Sequence, residues 1–193
     1  MPAAAAPTPV IFEHTLPYVE RLQPRALDQV DLVVIHCTEL PDLAAARTAG
    51  EQLRYASGTG NSGHYYIDRD GRIEAWVPLD RVAHHVRGYN ARSIGIELVN
   101  IGRYPDWLHA GRQSMDEPYP QAQVEALVAL LAWLAAQLGS LRFIEGHEQL
   151  DTTREPASDA PGLLVQRKRD PGPLFPWPQV LAATSLRRLG ATD

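Results

Sequence analysis

VDLVVIHCT, residues 30–38, is a β-branched run without strict alternation of apolar and polar residues. Such a run reads as a central strand covered on both faces, because a half-exposed strand would alternate. Successive strand side chains point to opposite faces, so Val34, His36 and Thr38 share one face while Val33, Ile35 and Cys37 share the other. His36 falls at the C-terminal end, where open α/β sheets gather their sites. The reading is an α/β domain with a titratable group at the rim of its sheet.

Working outward toward the C-terminus, Pro41-Asp42 opens a helix. Asp42 is the N-cap, and Leu43, Ala46, Ala49, Leu53 and Ala56 recur at three- and four-residue spacing until Gly58 and Gly60. Residues 64–68 and 73–77 read as two strands around Asp70-Gly71, a dipeptide suited to a two-residue hairpin turn. A loop with His84, His85, Arg87 and Asn90 leads to SIGIELVN, residues 93–100. There Ile94, Ile96 and Leu98 take one face, and Gly95, Glu97 and Val99 the other. A glutamate in so apolar a strand is costly to bury unless something pairs with it.

Residues 102–118 are polar and read as a surface excursion carrying Tyr104 and Trp107. Pro120 begins the clearest helix, with Val124, Leu127, Val128, Leu131, Leu134 and Leu138 as its apolar stripe and Gly139 at its C-terminal cap. FIEGH, residues 143–147, gives a short rim strand ending on His147, followed by a long irregular segment and a last helix over 176–189. Toward the N-terminus, residues 1–28 carry prolines without a period. They read as a loosely attached lead-in, leaving 29–193 as a single domain.

Bulk properties narrow the function classes. At 193 residues, 45% apolar and 21% charged, the chain is an ordinary one-domain globular protein. A net charge of −5 argues against a nucleic-acid groove and against an anionic membrane surface, although Arg167-Lys168-Arg169 is a local basic cluster. The single cysteine, Cys37, excludes an internal disulfide and a cysteine-rich zinc module, so histidine and carboxylate must hold any metal. Cys37 faces away from His36 and reads as a small core residue, and His84 likewise faces away from His85. MPAAAAPTPV at the start lacks the pattern of a secretion signal, which reads as cytoplasmic, or periplasmic if a leader has been removed. No apolar run approaches a membrane span.

Singly, each polar candidate has a bland explanation: His36 and His147 as hydrogen-bonded core residues, Glu97 as a partner of Arg92, Lys168 as a solvated charge. Together they describe a site. Asp170 precedes Pro171, which favours extended backbone, so Lys168 and Asp170 point the same way. Convergence of His36, His147 and Asp170 would give a two-histidine, one-carboxylate zinc set with a fourth position open for water. Glu97 could then take the water's proton, and Lys168 could stabilise an oxyanion.

The ordered segments VVIHCT, SGHYYIDRDG, RGYNARSIGIELVN, EGH and RKRDPGPLFPW resemble the type-2 N-acetylmuramoyl-L-alanine amidases. These are the AmpD-like enzymes related to peptidoglycan recognition proteins and T7-type phage lysozyme. The likeness runs from about residue 30 to 180. It implies a mixed β-sheet flanked by helices, one zinc ion per chain held by His36, His147 and Asp170, and catalytic roles for Glu97 and Lys168. It also implies hydrolysis of the amide between N-acetylmuramic acid and L-alanine in peptidoglycan or muropeptides, which makes 29–193 the catalytic domain. His64, His85, Arg87 and Asn90 lie in segments that flank the cleft in relatives and are expected as substrate contacts. One departure is TREPASDAPGLLV, residues 153–165, inserted before the lysine and leaving Asp151 and Asp159 as rival carboxylates. Asp170 is preferred because its lysine, proline and glycine neighbours match the family motif. A recognition domain that binds peptidoglycan without cleaving it, and a phage endolysin with the same chemistry, are the alternatives.

Overall fold

A computed structural model describes residues 8–190. In chain order its elements are β1 (Ile11–Glu13), β2 (Leu32–Cys37), α1 (Leu43–Glu51), β3 (Tyr65–Ile67), β4 (Ile73–Ala75), β5 (Ser93–Leu98) and α2 (Gln121–Gln137). Then follow β6 (Phe143–Gly146), α3 (His147–Leu150), β7 (Arg154–Pro156), β8 (Leu164–Gln166), α4 (Trp177–Ala182) and β9 (Arg187–Arg188). Seven strands form one sheet in the order β1-β4-β3-β5-β2-β6-β9. Within it only the β3–β4 pair is antiparallel, so the sheet is mixed, as the resemblance implied.

Every residue of β2 is buried, as its composition required. On one face Val33, Ile35, Ile94, Ile96 and Leu98 pack under Leu127, Leu130, Leu131 and Leu134 of α2, none with exposed surface. Each such side chain contributes about 1.5–3 kcal/mol of burial. The buried arc of α2 is centred on Leu127 and Leu134, which brings in Leu130 and leaves Val128 at its edge. Gln123 also lies in that arc. Its amide donates to the Ile67 and Val99 carbonyls at 2.9 and 3.0 Å, binding the helix to the ends of two strands. The opposite face of β2 carries Leu32, Val34 and His36 toward a cleft.

Several expectations change. The lead-in is not loosely attached: from residue 8 it is part of the body, while residues 1–7 lie outside the described residues. β1 extends the sheet beside β4, and Leu16, Tyr18, Val19 and Leu22 pack with Trp76 in a second core. Apolar residues without a helical or strand period had hidden this, because the segment threads as single turns. α1 is capped by Asp42, which accepts from the Ala45 amide at 2.7 Å, but it stops at Glu51, leaving Leu53 exposed. The β3–β4 connection is a three-residue loop, Arg69 to Gly71. Asp68 pairs with Arg72, and Gly71 supplies the left-handed residue at φ 88°. The last helix ends at Ala182, where Thr184 caps the Leu186 amide and sends the chain into β9 beside β6.

The inserted segment is a hairpin, β7 with β8, rather than irregular chain. Its tip leans on the polar excursion: the Ser158 amide donates to the Leu108 carbonyl, and Asp159 accepts from the Ala110 amide. That excursion is anchored rather than superficial, because Arg103 within it is buried against Glu39.

Candidate metal centre and cleft

Four segments meet at the C-terminal rim of the sheet. His36 is paired in register with Glu97 of the neighbouring parallel strand, so both stand on the same face. β6, the neighbour on the other side, ends at Gly146 and delivers His147 as the first residue of α3. The chain returns with Asp170, held by its own carbonyl accepting from the Glu148 amide at 2.9 Å. Tyr119 fixes the next residue through a 2.6 Å hydrogen bond to the Pro171 carbonyl.

The result is a compact donor set. Asp170 Oδ2 lies 2.9 Å from His36 Nδ1 and 3.0 Å from His147 Nδ1, and all three residues are buried. Their ligand atoms fall within 4.8 Å of one another. Asp170 Oδ1 and His147 Nε2 are buried polar atoms with no hydrogen-bond partner among the described residues. Two imidazole nitrogens and a carboxylate oxygen, converging from three segments, are the donor chemistry of a hydrolytic zinc site. The residues fit that ion.

Electrostatics agree with such use. Burial, with the charges of His147 and Lys168, lowers the His36 pKa to about 4 against the opposing pull of Asp170, so the ring is neutral as a ligand must be. Burial alone would raise Asp170, but His147 and His36 with Lys168 outweigh it and hold the carboxyl well below its ordinary range. Glu97 moves the other way. Burial first, then the Asp170 charge, raises it well above an ordinary carboxyl, with Lys168 opposing. Its Oε1 lies 3.9 Å from His36 Nδ1. Arg92, its expected structural partner, turns instead to Asp31 at 2.7 Å.

The rival carboxylates are committed elsewhere: Asp151 is paired with Arg167, and Asp159 caps Ala110 at the exposed hairpin tip. Cys37 lies buried as expected, its thiol pushed well up by burial and by Asp170.

The four expected substrate contacts divide. His64 is fully buried and, unlike the other three, is not part of the lining of the cleft beside the donor set. Its Nδ1 accepts from the Gly95 amide at 3.0 Å, and its Nε2 lies 2.8 Å from Arg25 Nη2 and 3.1 Å from the Arg81 carbonyl. Burial and the adjacent Arg25 guanidinium lower its pKa to about 3. His85 reaches the cleft but turns its Nδ1 to His36 Nε2 at 3.0 Å. Asn90 caps the loop, accepting from the His85 and Val86 amides at 3.0 and 2.7 Å. Arg87 lines the cleft from an exposed position. His84, expected to face away, also lines it, stacked edge-on against Tyr55, because this loop is not extended and strand alternation does not apply.

The cleft encloses about 820 Å³ and includes Lys168, Glu97 and the donor set. Its walls add Arg54, Tyr55, Trp107 and Arg167. Arg54 and Tyr55 carried no motif, Trp107 was read only as part of a surface excursion and Arg167 only as part of a basic cluster, since the place of these loops is decided by the tertiary fold.

Residues 26–173 match the family model described as N-acetylmuramoyl-L-alanine amidase. N-acetylmuramoyl-L-alanine amidase AmiD of Escherichia coli K12 is 30% identical over 171 residues, covering 80% of this chain and 53% of AmiD. The 1,6-anhydro-N-acetylmuramyl-L-alanine amidase AmpD of Salmonella typhimurium SL1344 is 32% identical over 133 residues, 65% of this chain and 58% of that protein. The chain thus spans about half the length of the curated relatives it matches. Among solved structures, E. coli AmiD in complex with anhydro-N-acetylmuramic acid-L-Ala-D-γ-Glu-L-Lys superposes with a TM-score of 0.61 at 26% identity, covering 80% of this chain and 57% of that one. By this match across most of its length, the chain belongs to the N-acetylmuramoyl-L-alanine amidase family.

Proposed function

We propose that residues 8–190 act as one catalytic unit, a zinc-dependent amidase that cleaves the bond between N-acetylmuramic acid and L-alanine in peptidoglycan or muropeptides. The observation that carries this reading is the meeting of His36, His147 and Asp170 beside Glu97. The first three would hold one zinc ion through Nδ1, Nδ1 and Oδ2. When bound, zinc supplies Lewis acidity, acidifying water and polarising a carbonyl. Glu97 holds and moves the proton: its raised pKa brings it nearer to neutrality, where a carboxylate can both accept a proton and return it to the leaving amine. Lys168, on the cleft wall, places positive charge where an oxyanion develops. Arg87 adds positive charge along the wall, suited to the carboxylates of a stem peptide such as the one bound by AmiD, whereas Arg167 is already paired with Asp151.

A peptidoglycan-binding module without catalysis is the weaker reading, because binding alone gives no use for a buried glutamate of raised pKa next to a complete ligand set. The test is metal analysis together with release of L-alanyl peptides from anhydro-muropeptides and from intact sacculi. We expect about one zinc per chain, loss of release on chelation and its return with zinc. Undiminished release by metal-free protein would defeat the mechanism. No helix among the described residues is long and apolar enough to cross a membrane.

A further inference from the structure

His85 makes contacts that substrate binding does not require. Its Nδ1 faces His36 Nε2 at 3.0 Å, and its Nε2 faces Ser93 Oγ at 3.2 Å. The Ser93 hydroxyl lies 2.8 Å from the Tyr89 carbonyl. A carbonyl oxygen can only accept, and this one fixes the direction of everything that follows. Ser93 spends its one proton on Tyr89, so its oxygen accepts from His85 Nε2–H. With that ring's proton on Nε2, its Nδ1 accepts, and His36 must present Nε2–H. A neutral imidazole carries one proton, so His36 Nδ1 is left as a bare lone pair facing Asp170 and His147.

The opposite polarity is available and harmful. Asp170 Oδ2 would itself accept a proton from His36 Nδ1. That arrangement puts the proton on the ligand atom, turns His85 to its Nδ1–H form and costs Ser93 its bond to Tyr89. We propose that Ser93 and His85 are positioning residues: the Tyr89 carbonyl, Ser93 and His85 form a hydrogen-bonded relay that fixes the His36 tautomer and keeps Nδ1 open for the metal. Two further features are built for the relay. Gly95 leaves room for the His85 ring, since a Cβ there would lie 2.6 Å from its Cγ. Asn90 pins the His85 backbone. Ser93 itself is fully buried and meets no solvent or substrate.

The inference rests on the metal-site reading above, but its readout is zinc affinity rather than amide cleavage, so the two fail separately. The full chain is stripped with a chelator, and zinc affinity is measured by competition with a chromophoric chelator. Loss of an outer-shell partner weakens metal binding about 10–100-fold. Ser93→Ala is expected near the lower end of that range and His85→Leu at or above it. His85→Asn places an amide oxygen where Nδ1 stood and is expected to recover most of the affinity lost in His85→Leu. Nitrogen-15 NMR of the zinc-loaded protein is expected to find the His85 proton on Nε2. Wild-type affinity in Ser93→Ala, His85→Asn no better than His85→Leu, or a His85 proton on Nδ1 would each overturn the relay. If metal-free Ser93→Ala melts early, the His85 pair decides. Wild-type protein without zinc affinity removes both readings, whereas normal affinity without amide cleavage removes only the proposed function.

Discussion

Glu39→Ala tests whether the cleft wall depends on a buried charge pair. Arg103 has no exposed side-chain surface and Glu39 only 6%. Glu39 Oε1 accepts from Arg103 Nε at 2.7 Å and from its backbone amide at 3.2 Å, and Oε2 accepts from Nη2 at 2.9 Å. The same guanidinium donates to the Trp107, Gln166 and Arg167 carbonyls. Alanine at 39 would leave those neutral acceptors in place but remove the only countercharge in direct contact among the described residues. Breaking one side of a buried pair costs about 3–5 kcal/mol, about a fifth or more of the roughly 5–15 kcal/mol that holds a domain together. For a chain of this length that is a fall in Tm of about 6–20 °C. Urea unfolding of the metal-free protein should show a lower midpoint at unchanged m. Glu39→Met with Arg103→Met should recover much of the loss, since the penalty lies in the unpaired charge. A Glu39→Ala cost below about 1 kcal/mol, the size expected of an exposed pair, would refute the reasoning.

Three further outcomes are expected. Glu97→Gln should abolish turnover while retaining zinc, Asp170→Asn should lose zinc, and Asp159→Ala should keep it; metal analysis separates the three, and zinc loss in Asp159→Ala would reverse the ligand assignment. His64 has its folded pKa lowered to about 3 from an unfolded value near 6.5. The unfolded state therefore binds the extra proton between those values, and stability, complete above about 6.5, falls as pH drops toward 3. His64→Asn should flatten that slope in pH-dependent denaturation of metal-free protein, and an unchanged slope would count against the assignment. Leu131→Ala, at a fully buried position of α2, should cost about 2–5 kcal/mol in urea unfolding, and a smaller loss would mean the helix–sheet contact can collapse around the gap.

The parts of the fold that were legible in sequence were those with a period. β2, β5 and α2 bury whole faces, and a buried face writes itself as spacing. Residues 11–22 escaped because they bury single side chains from irregular turns, and the β7–β8 hairpin escaped because its faces are mostly exposed. At the site, alternation assigned His36 and Glu97 each to a face of its own strand, but that the two share one face follows only from the pairing of β2 with β5. Their union with His147 and Asp170 could not be read either, because sequence carries no distance between residues 134 apart. His85 was assigned to substrate because its loop flanks the cleft; only the direction of its ring, set over Gly95, turns it toward His36.

That 134-residue separation also has a meaning in time. A ribosome adding about 5–20 residues per second needs roughly 7–27 s to go from His36 to Asp170. Through that interval the growing chain holds one or two of the three donors, so the proposed three-donor set cannot form. Metal binding at this set, as proposed above, would thus wait until Asp170 has been made and the parallel strands have closed. Once it occurs, binding to the native state alone shifts the folding equilibrium by mass action. An ion bound there would report that all three donor segments have met.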